Sequence, residues 1–316
     1  MKVLVAGGAG FIGSEFTRSL VSGLYGEIPK KVYVLDLLTY AGNMDNLNGY
    51  HESFDFIHGD IADSKLVKKL FSEVDFVINF AAETHVDNSI DSPMPFVHSN
   101  FVGTANLLTQ LINFPNIRFI QVSTDEVYGS IDSGSWDENF SLNPHSPYSA
   151  TKAAADLLVQ SYVTTYGVNA SITRCCNNYG PFQFPEKLIP LFIQKLSRNE
   201  KVPVYGDGLN IREWIHVRDH CRAIWQVMNL GEPGEIYNIG SGYELSNIDL
   251  TYKLLDYFNK GVESIDFVSD RLGHDRRYSL DSTKIQDKIG FSNETEFDVG
   301  LVETISWYQS QDKFRI

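Results

Sequence analysis

Cysteine is scarce in this chain, with three in 316 residues. Cys175 and Cys176 are neighbours and poorly placed to bridge each other, which excludes a disulfide framework and suits a reducing cytoplasm. Long apolar runs are missing too. None approaches the ~20 residues of a membrane-spanning helix. The first residues, Met1-Lys2-Val3-Leu4-Val5-Ala6, run straight into glycines, so a strand is expected there and not a signal peptide. Basic charge is short, with 26 Lys and Arg against 40 Asp and Glu and a formal net charge of -14. A nucleic-acid partner needs a basic face and is therefore excluded. A small anionic ligand is still admissible where a few arginines and lysines converge. No bound metal is expected.

What is present alternates in a regular way. Lys2 to Ala6 is a continuous apolar strand. Gly7-x-x-Gly10-x-x-Gly13 follows, and a helix then carries Phe16, Leu20, Val21 and Leu24 on one stripe. Glycines between a first strand and a helix let backbone approach a pyrophosphate, while the helix N-terminus supplies N–H donors. Lys31 to Leu35 is a second strand ending at Asp36, about 20 residues beyond the glycines. An acid there suits ribose hydroxyls and repels a 2′-phosphate, favouring NAD over NADP. Phe54 to His58 is a third strand, followed by Asp60, which is placed either to meet adenine or to cap the helix near Asp63. Asp75 to Phe80 is a fourth, and Ala81-Ala82 lets a flat ligand lie close. His85 reads as structural. A helix from Pro95 to Phe114 turns Val102, Ala105, Leu108 and Leu111 to the sheet.

The fifth strand delivers the most informative stretch, Thr124-Asp125-Glu126. Open α/β sheets hold their ligands at such carboxyl ends. Residues 131–147 form a Ser-, Gly- and Pro-rich loop of the kind that closes over a site. Tyr148-x-x-x-Lys152 then opens a helix, which puts a phenol and an ammonium on one face. The positive charge favours the phenolate. Two carboxylates, a tunable phenol and a lysine suit repeated proton transfers on one substrate. Val168 to Thr173 is a sixth strand. Six strands alternating with helices imply a doubly wound parallel α/β sheet of Rossmann type, residues 1–178. The rhythm fails after Arg174, and a smaller mixed α/β lobe is expected over 179–316, with a possible return of the chain to the first sheet. Arg174 suits a buried carboxylate.

These motifs resemble the extended short-chain dehydrogenase/reductase superfamily. More narrowly, Ser123 to Gly129, Asn177-Asn178-Tyr179-Gly180-Pro181, Pro185 to Pro190 and Gly273 to Tyr278 are similar to the dTDP-glucose 4,6-dehydratases, and the similarity runs from Lys2 to about Trp307. The Thr-Asp-Glu triplet discriminates, because related epimerases eliminate no water. Ala6, Leu37, Thr84 and Asn88 depart from frequent family residues, outside the acid–base set. The resemblance implies an NAD-dependent hydro-lyase with Thr124, Asp125, Glu126, Tyr148 and Lys152 catalytic. Its cofactor set comprises Gly7, Gly10, Phe11, Ile12, Gly13, Asp36, Leu37, Leu38 and Thr39. Asp60, Ile61, Phe80, Ala81, Ala82, Thr84, Ser99, Tyr148, Lys152 and Asn178 complete it. A sugar nucleotide, dTDP-glucose, would meet Thr84, Thr124, Asn177, Glu186, Lys187, Leu188, Pro203, Tyr205, Arg212, Asn247, Arg271, His274 and Tyr278. Relatives pair as homodimers, and stripes holding Phe96, Val97, Leu107 and Leu108, or Leu157, Leu158 and Tyr162, could serve. A 4-epimerase or decarboxylase, or an NAD-binding protein without turnover, are the competing readings.

Overall fold

The computed structural model describes residues 1–311. The chain opens as β1 (Lys2–Ala6), α1 (Phe11–Val21), β2 (Lys31–Asp36), β3 (Asp55–His58), α2 (Ser64–Phe71) and β4 (Phe76–Asn79). Short helices α3 (Val86–Asp91) and α4 (Met94–Phe96) lead through a π-helical stretch, Val97–Gly103, into α5 (Thr104–Leu111). Then come β5 (Arg118–Thr124), one 3₁₀ turn over Asp125–Tyr128, α6 (Pro147–Tyr166), β6 (Ala170–Cys175) and β7 (Asn177–Tyr179). The remainder is α7 (Leu188–Ser197), β8 (Val202–Tyr205), β9 (Ile211–His216), α8 (Val217–Leu230) and β10 (Ile236–Ile239), followed by β11 (Glu244–Ser246), α9 (Asn247–Tyr257), β12 (Ile265–Val268), α10 (Thr283–Ile289) and α11 (Phe297–Ser310).

Seven strands form one parallel sheet in the order β10-β6-β5-β4-β1-β2-β3. The doubly wound Rossmann-type architecture follows, with the order reversing between β1 and β4. Ala6 aligns with Leu35 and Asn79, and Thr124 aligns with Cys175. The residues that follow these strands therefore emerge along one edge. Apolar runs such as Val3-Leu4-Val5 are wholly buried because helices cover both faces. One core packs under α1 and α8, the other under α2, α5 and α6. The chain returns to this sheet late, since β10 pairs with β6. A third core lies among β7, β8, β9, α7, α9 and α11, beside sheets ordered β11-β9-β7 and β12-β8.

Three expectations need correction. Leu24 is 66% exposed, because α1 stops at Val21 before the stripe reaches it. Val102 is 43% exposed although Leu108 and Leu111 are buried. The π-helical stretch, with its wider turn, rotates the upstream face away from the sheet. No residue of the 131–147 loop lines the cleft. Buried Trp136 anchors it, donating its amide to the Ser279 carbonyl and accepting from the Asp281 amide.

Candidate active site

A cleft of about 400 Å³ runs along the carboxyl edge of the large sheet. At one end lies the glycine loop. Gly7 has φ +74°, and a Cβ there would come within 2.5 Å of the Ala81 amide nitrogen. A Cβ on Gly13 would lie 2.1 Å from the Gly7 carbonyl oxygen. Gly10 heads α1 without a side-chain cap, and a Cβ there would meet nothing closer than 3.4 Å. The first turn of α1, Phe11 to Gly13, lines the cleft. Buried Asp36 accepts from the Ala9 amide at 2.9 Å and the Leu38 amide at 2.8 Å. Its carboxyl is raised by burial, against those two bonds. Asp60 bonds the Ala62 amide and His98 Nε2, leaving the α2 cap to Asp63.

The catalytic candidates converge at the other end. Thr124 ends β5, and its Oγ1 accepts from the Glu126 amide at 3.3 Å and donates to Asp125 Oδ1 at 3.1 Å. Asp125 is 2% exposed, and its Oδ2 has no hydrogen-bond partner among the described residues. Burial, reinforced by Glu126, pushes its carboxyl well above the usual range. Burial also raises Glu126, but Arg271, Arg212 and Lys187 pull it back. The two neighbours are thus held in unlike environments. Opposite them, Pro147 and a Ser146–Ser149 capping box start α6, fixing Tyr148 and Lys152 one turn apart. Lys152 donates to the Val122 carbonyl at 2.6 Å. Burial brings its ammonium down to about 8, against Asp156. The Tyr148 phenol is not lowered within the protein alone. Burial and both carboxylates push it well up, opposed by a hydrogen bond with Thr124.

The cleft wall brings together most of the expected set: the three glycines, Phe11, Ile12, Asp36, Leu37, Thr39, Asp60, Ile61, Phe80, Ala81, Ala82, Thr84, Ser99, the five catalytic candidates, Asn177, Asn178 and Lys187. Lys187 reaches across to donate to the Thr84 carbonyl at 3.1 Å. Ten expected residues lie outside that wall. Leu38 sits behind it at φ +51°. Glu186 is 3.9 Å from His85 Nε2, and His85 itself caps α3. Leu188 opens α7, Asn247 opens α9, and Pro203 and Tyr205 belong to β8. Arg212, Arg271, His274 and Tyr278 form a separate group. Arg212 is buried, lies 4.2 Å over the Tyr278 ring and donates to the Asp275 carbonyl. His274 pairs with Asp270 at 2.6 Å, its ring edge-on to Tyr205. Arg271 Nε is buried without a partner among the described residues. Arg212 does not pair with Glu213, whose carboxylate accepts instead from the Gly242 and Leu280 amides. Cys175, Cys176 and His220 line the cleft unforeseen. Asn178 joins them, donating to Cys175 Sγ and the Cys176 carbonyl and meeting His220 Nδ1 at 2.9 Å. The strand-end rule that singled out Asp125 would also have found the cysteines; nothing local marks His220.

Fold and cleft together define a dinucleotide-dependent enzyme of the short-chain dehydrogenase/reductase type. Residues 4–304 match the family described as GDP-mannose 4,6 dehydratase, and the chain belongs to that family. A dTDP-glucose 4,6-dehydratase from Streptomyces antibioticus is 51% identical over 311 residues, 98% of this chain and 92% of that protein. One from Actinoplanes sp. is 50% identical over 314 residues, 98% of each. The crystal structure of DesIV, a dTDP-glucose 4,6-dehydratase from Streptomyces venezuelae solved with NAD bound, matches with a TM-score of 0.97 at 49% identity, covering 100% of this chain and 99% of that one. The resemblance read from Thr124-Asp125-Glu126 and its companion motifs is borne out.

Proposed function

We propose that this enzyme converts dTDP-glucose to dTDP-4-keto-6-deoxyglucose, with NAD as its cofactor. The observation that carries the reading is the unlike pair Asp125 and Glu126 facing Tyr148 and Lys152. Elimination of water needs an acid and a base at the same moment, so two carboxyls must hold different protonation states. Burial pushes the Asp125 carboxyl well up, towards its protonated form, while Glu126, also raised by burial, is drawn back towards the carboxylate by three cations.

The residues fit NAD. A cradle that side chains at Gly7 or Gly13 would fill lies at the α1 N-terminus, and Asp36 retains lone pairs for ribose hydroxyls. NAD held there would accept the C4 hydride and return it to C6, and its nicotinamide would set positive charge beside the phenol. Tyr148 Oη takes the proton of the 4-hydroxyl, helped by Lys152. The 4-keto group acidifies C5, and Glu126 removes that proton while Asp125 Oδ2 gives one to the departing C6 hydroxyl. Glu126 then reprotonates C5. Tyr148 is left with one extra proton and Asp125 with one too few. Thr124, bonded to both, bridges them for the return. Lys187, Arg212 and Arg271 neutralise the diphosphate, His274 offers it a hydrogen bond, and Tyr205 packs on the base. Residues 1–178 hold the cofactor and residues from 179 the sugar nucleotide, with α8 and β10 rejoining the large sheet.

A 4-epimerase would need no adjacent acid and base at the fifth strand. Product mass tests the choice: incubation with dTDP-glucose and with UDP-glucose yields a 4-keto product lighter by one water from the former. A product of unchanged mass overturns the reading. Among the described residues no helix is long and apolar enough to cross a membrane. Three free, buried cysteines suit a cytoplasmic setting. Exposed Val102, Leu157 and Tyr166 support homodimer formation through the π-helical stretch and α6, since Phe96, Leu107 and Leu108 are spent on the chain's own core.

A further inference from the structure

Three polar side chains that no step above uses are buried together beneath the catalytic helix. Asp156 lies on α6 one turn past Lys152 and two past Tyr148, on the same stripe. It is fully buried. Arg174 on β6 is 1% exposed; its Nε donates to Asp156 Oδ2 at 2.9 Å and its Nη1 to the Tyr128 hydroxyl at 2.7 Å. The guanidinium also lies 4.8 Å from the centre of the Tyr128 ring. Tyr128 closes the turn that bears Asp125 and Glu126, and its hydroxyl donates to Asn238 Oδ1 on β10 at 2.9 Å. One line of bonds thus joins the Tyr148–Lys152 helix to the Asp125–Glu126 turn. Asp156 Oδ1 is buried without a partner among the described residues.

A buried ion pair is a poor way to hold a core, because apolar side chains of equal volume stabilise as well or better. Its use here calls for another reason. We propose that Asp156 and Arg174 are positioning residues for the reaction: Asp156 holds Lys152 as the ammonium beside Tyr148, and Arg174 tempers that field while tying α6 to the Asp125–Glu126 turn. The proposal rests on the reading that Tyr148 and Lys152 carry out C4 oxidation. Asp156 is the charge that opposes the lowering of Lys152 by burial. Among the described residues, the other charged or titratable groups around this stretch of α6 include Arg174 and Cys175 from β6, Asp125, Glu126 and Tyr128 from the turn after β5, Tyr40, which acts on Tyr148, and Glu83, whose backbone is tied through Asn100 to Thr151.

The test uses the NAD-loaded enzyme and follows NADH formation in a single turnover with dTDP-glucose across pH. In Asp156→Asn, the alkaline limb moves down by about one pH unit, since Lys152 loses its anion. In Arg174→Gln it moves up by a similar amount, since Asp156 acts unopposed. The double variant returns the limb towards the wild-type position, and Arg174→Lys lies between wild type and Arg174→Gln. A purely structural pair lowers the amplitude in both single variants without opposite displacements, and that result overturns the proposal. If circular dichroism shows that Asp156→Asn does not fold, Arg174→Gln decides: a limb that stays or falls overturns it. Absence of any keto sugar from the wild-type enzyme refutes the functional reading instead, so the two failures are distinguishable.

Discussion

Replacing Asp125 by Asn removes one proton and little else. The side chain is buried, its Oδ1 accepts from Thr124, and an amide oxygen accepts equally well. What is lost is the transferable proton on the second oxygen. Loss of one positioned proton donor slows a step by about 10²–10⁴, or about 3–5 kcal/mol of barrier. C4 oxidation uses Tyr148 and Lys152 and stays near its wild-type rate. Stopped-flow absorbance therefore shows NADH rising and persisting, because the elimination that precedes its consumption is blocked. A trace without lasting NADH and with unchanged turnover refutes the assignment. The same variant carries a stability signature. A carboxyl raised by folding binds its proton in the native state where the unfolded chain has released it, so stability falls as pH climbs from the unfolded value towards the folded one. Asp125→Asn removes that loss. It melts higher than wild type at neutral pH, and the difference closes below about pH 4.

Tyr148→Phe acts one step earlier: NADH forms about 10²–10⁴ times more slowly, and turnover falls with it. Gly13→Ala drives a methyl against the Gly7 carbonyl oxygen. The loop must open, which costs about 1–3 kcal/mol and shows as a lower melting temperature with weakened NAD binding by calorimetry. Asp36→Ala removes the acceptor for the Ala9 and Leu38 amides and for the ribose. Affinity for NAD falls about 10- to 100-fold and discrimination against NADP narrows, measured by titration with each dinucleotide.

The cofactor half was legible because its signals are local. Glycines at fixed spacing, an acid after the second strand and Tyr148-x-x-x-Lys152 each declare themselves within a few residues, and a parallel sheet then gathers strand ends on one edge. What stayed hidden depends on distant partners. Trp136 anchors its loop to Ser279 and Asp281, far along the chain. Glu213 turns from adjacent Arg212 to backbone near Gly242 and Leu280. Val102 faces outward because the helix widens ahead of it, which apolar periodicity at 3.6 residues cannot express. Asp60 suited the α2 cap by its position, and only the backbone path gives that cap to Asp63.

The late arrival of β10 has a consequence for how the protein is made. Until Ile236–Ile239 emerge from the ribosome, β6 waits at the growing border with its outer hydrogen-bonding groups unmatched, an invitation to mispairing with other chains. Closing that border requires Ile236–Ile239 to clear the ribosome, long after the glycine loop and both catalytic motifs have emerged. A truncated product ending near residue 178 would carry the whole Tyr148–Lys152 helix and still be prone to aggregate.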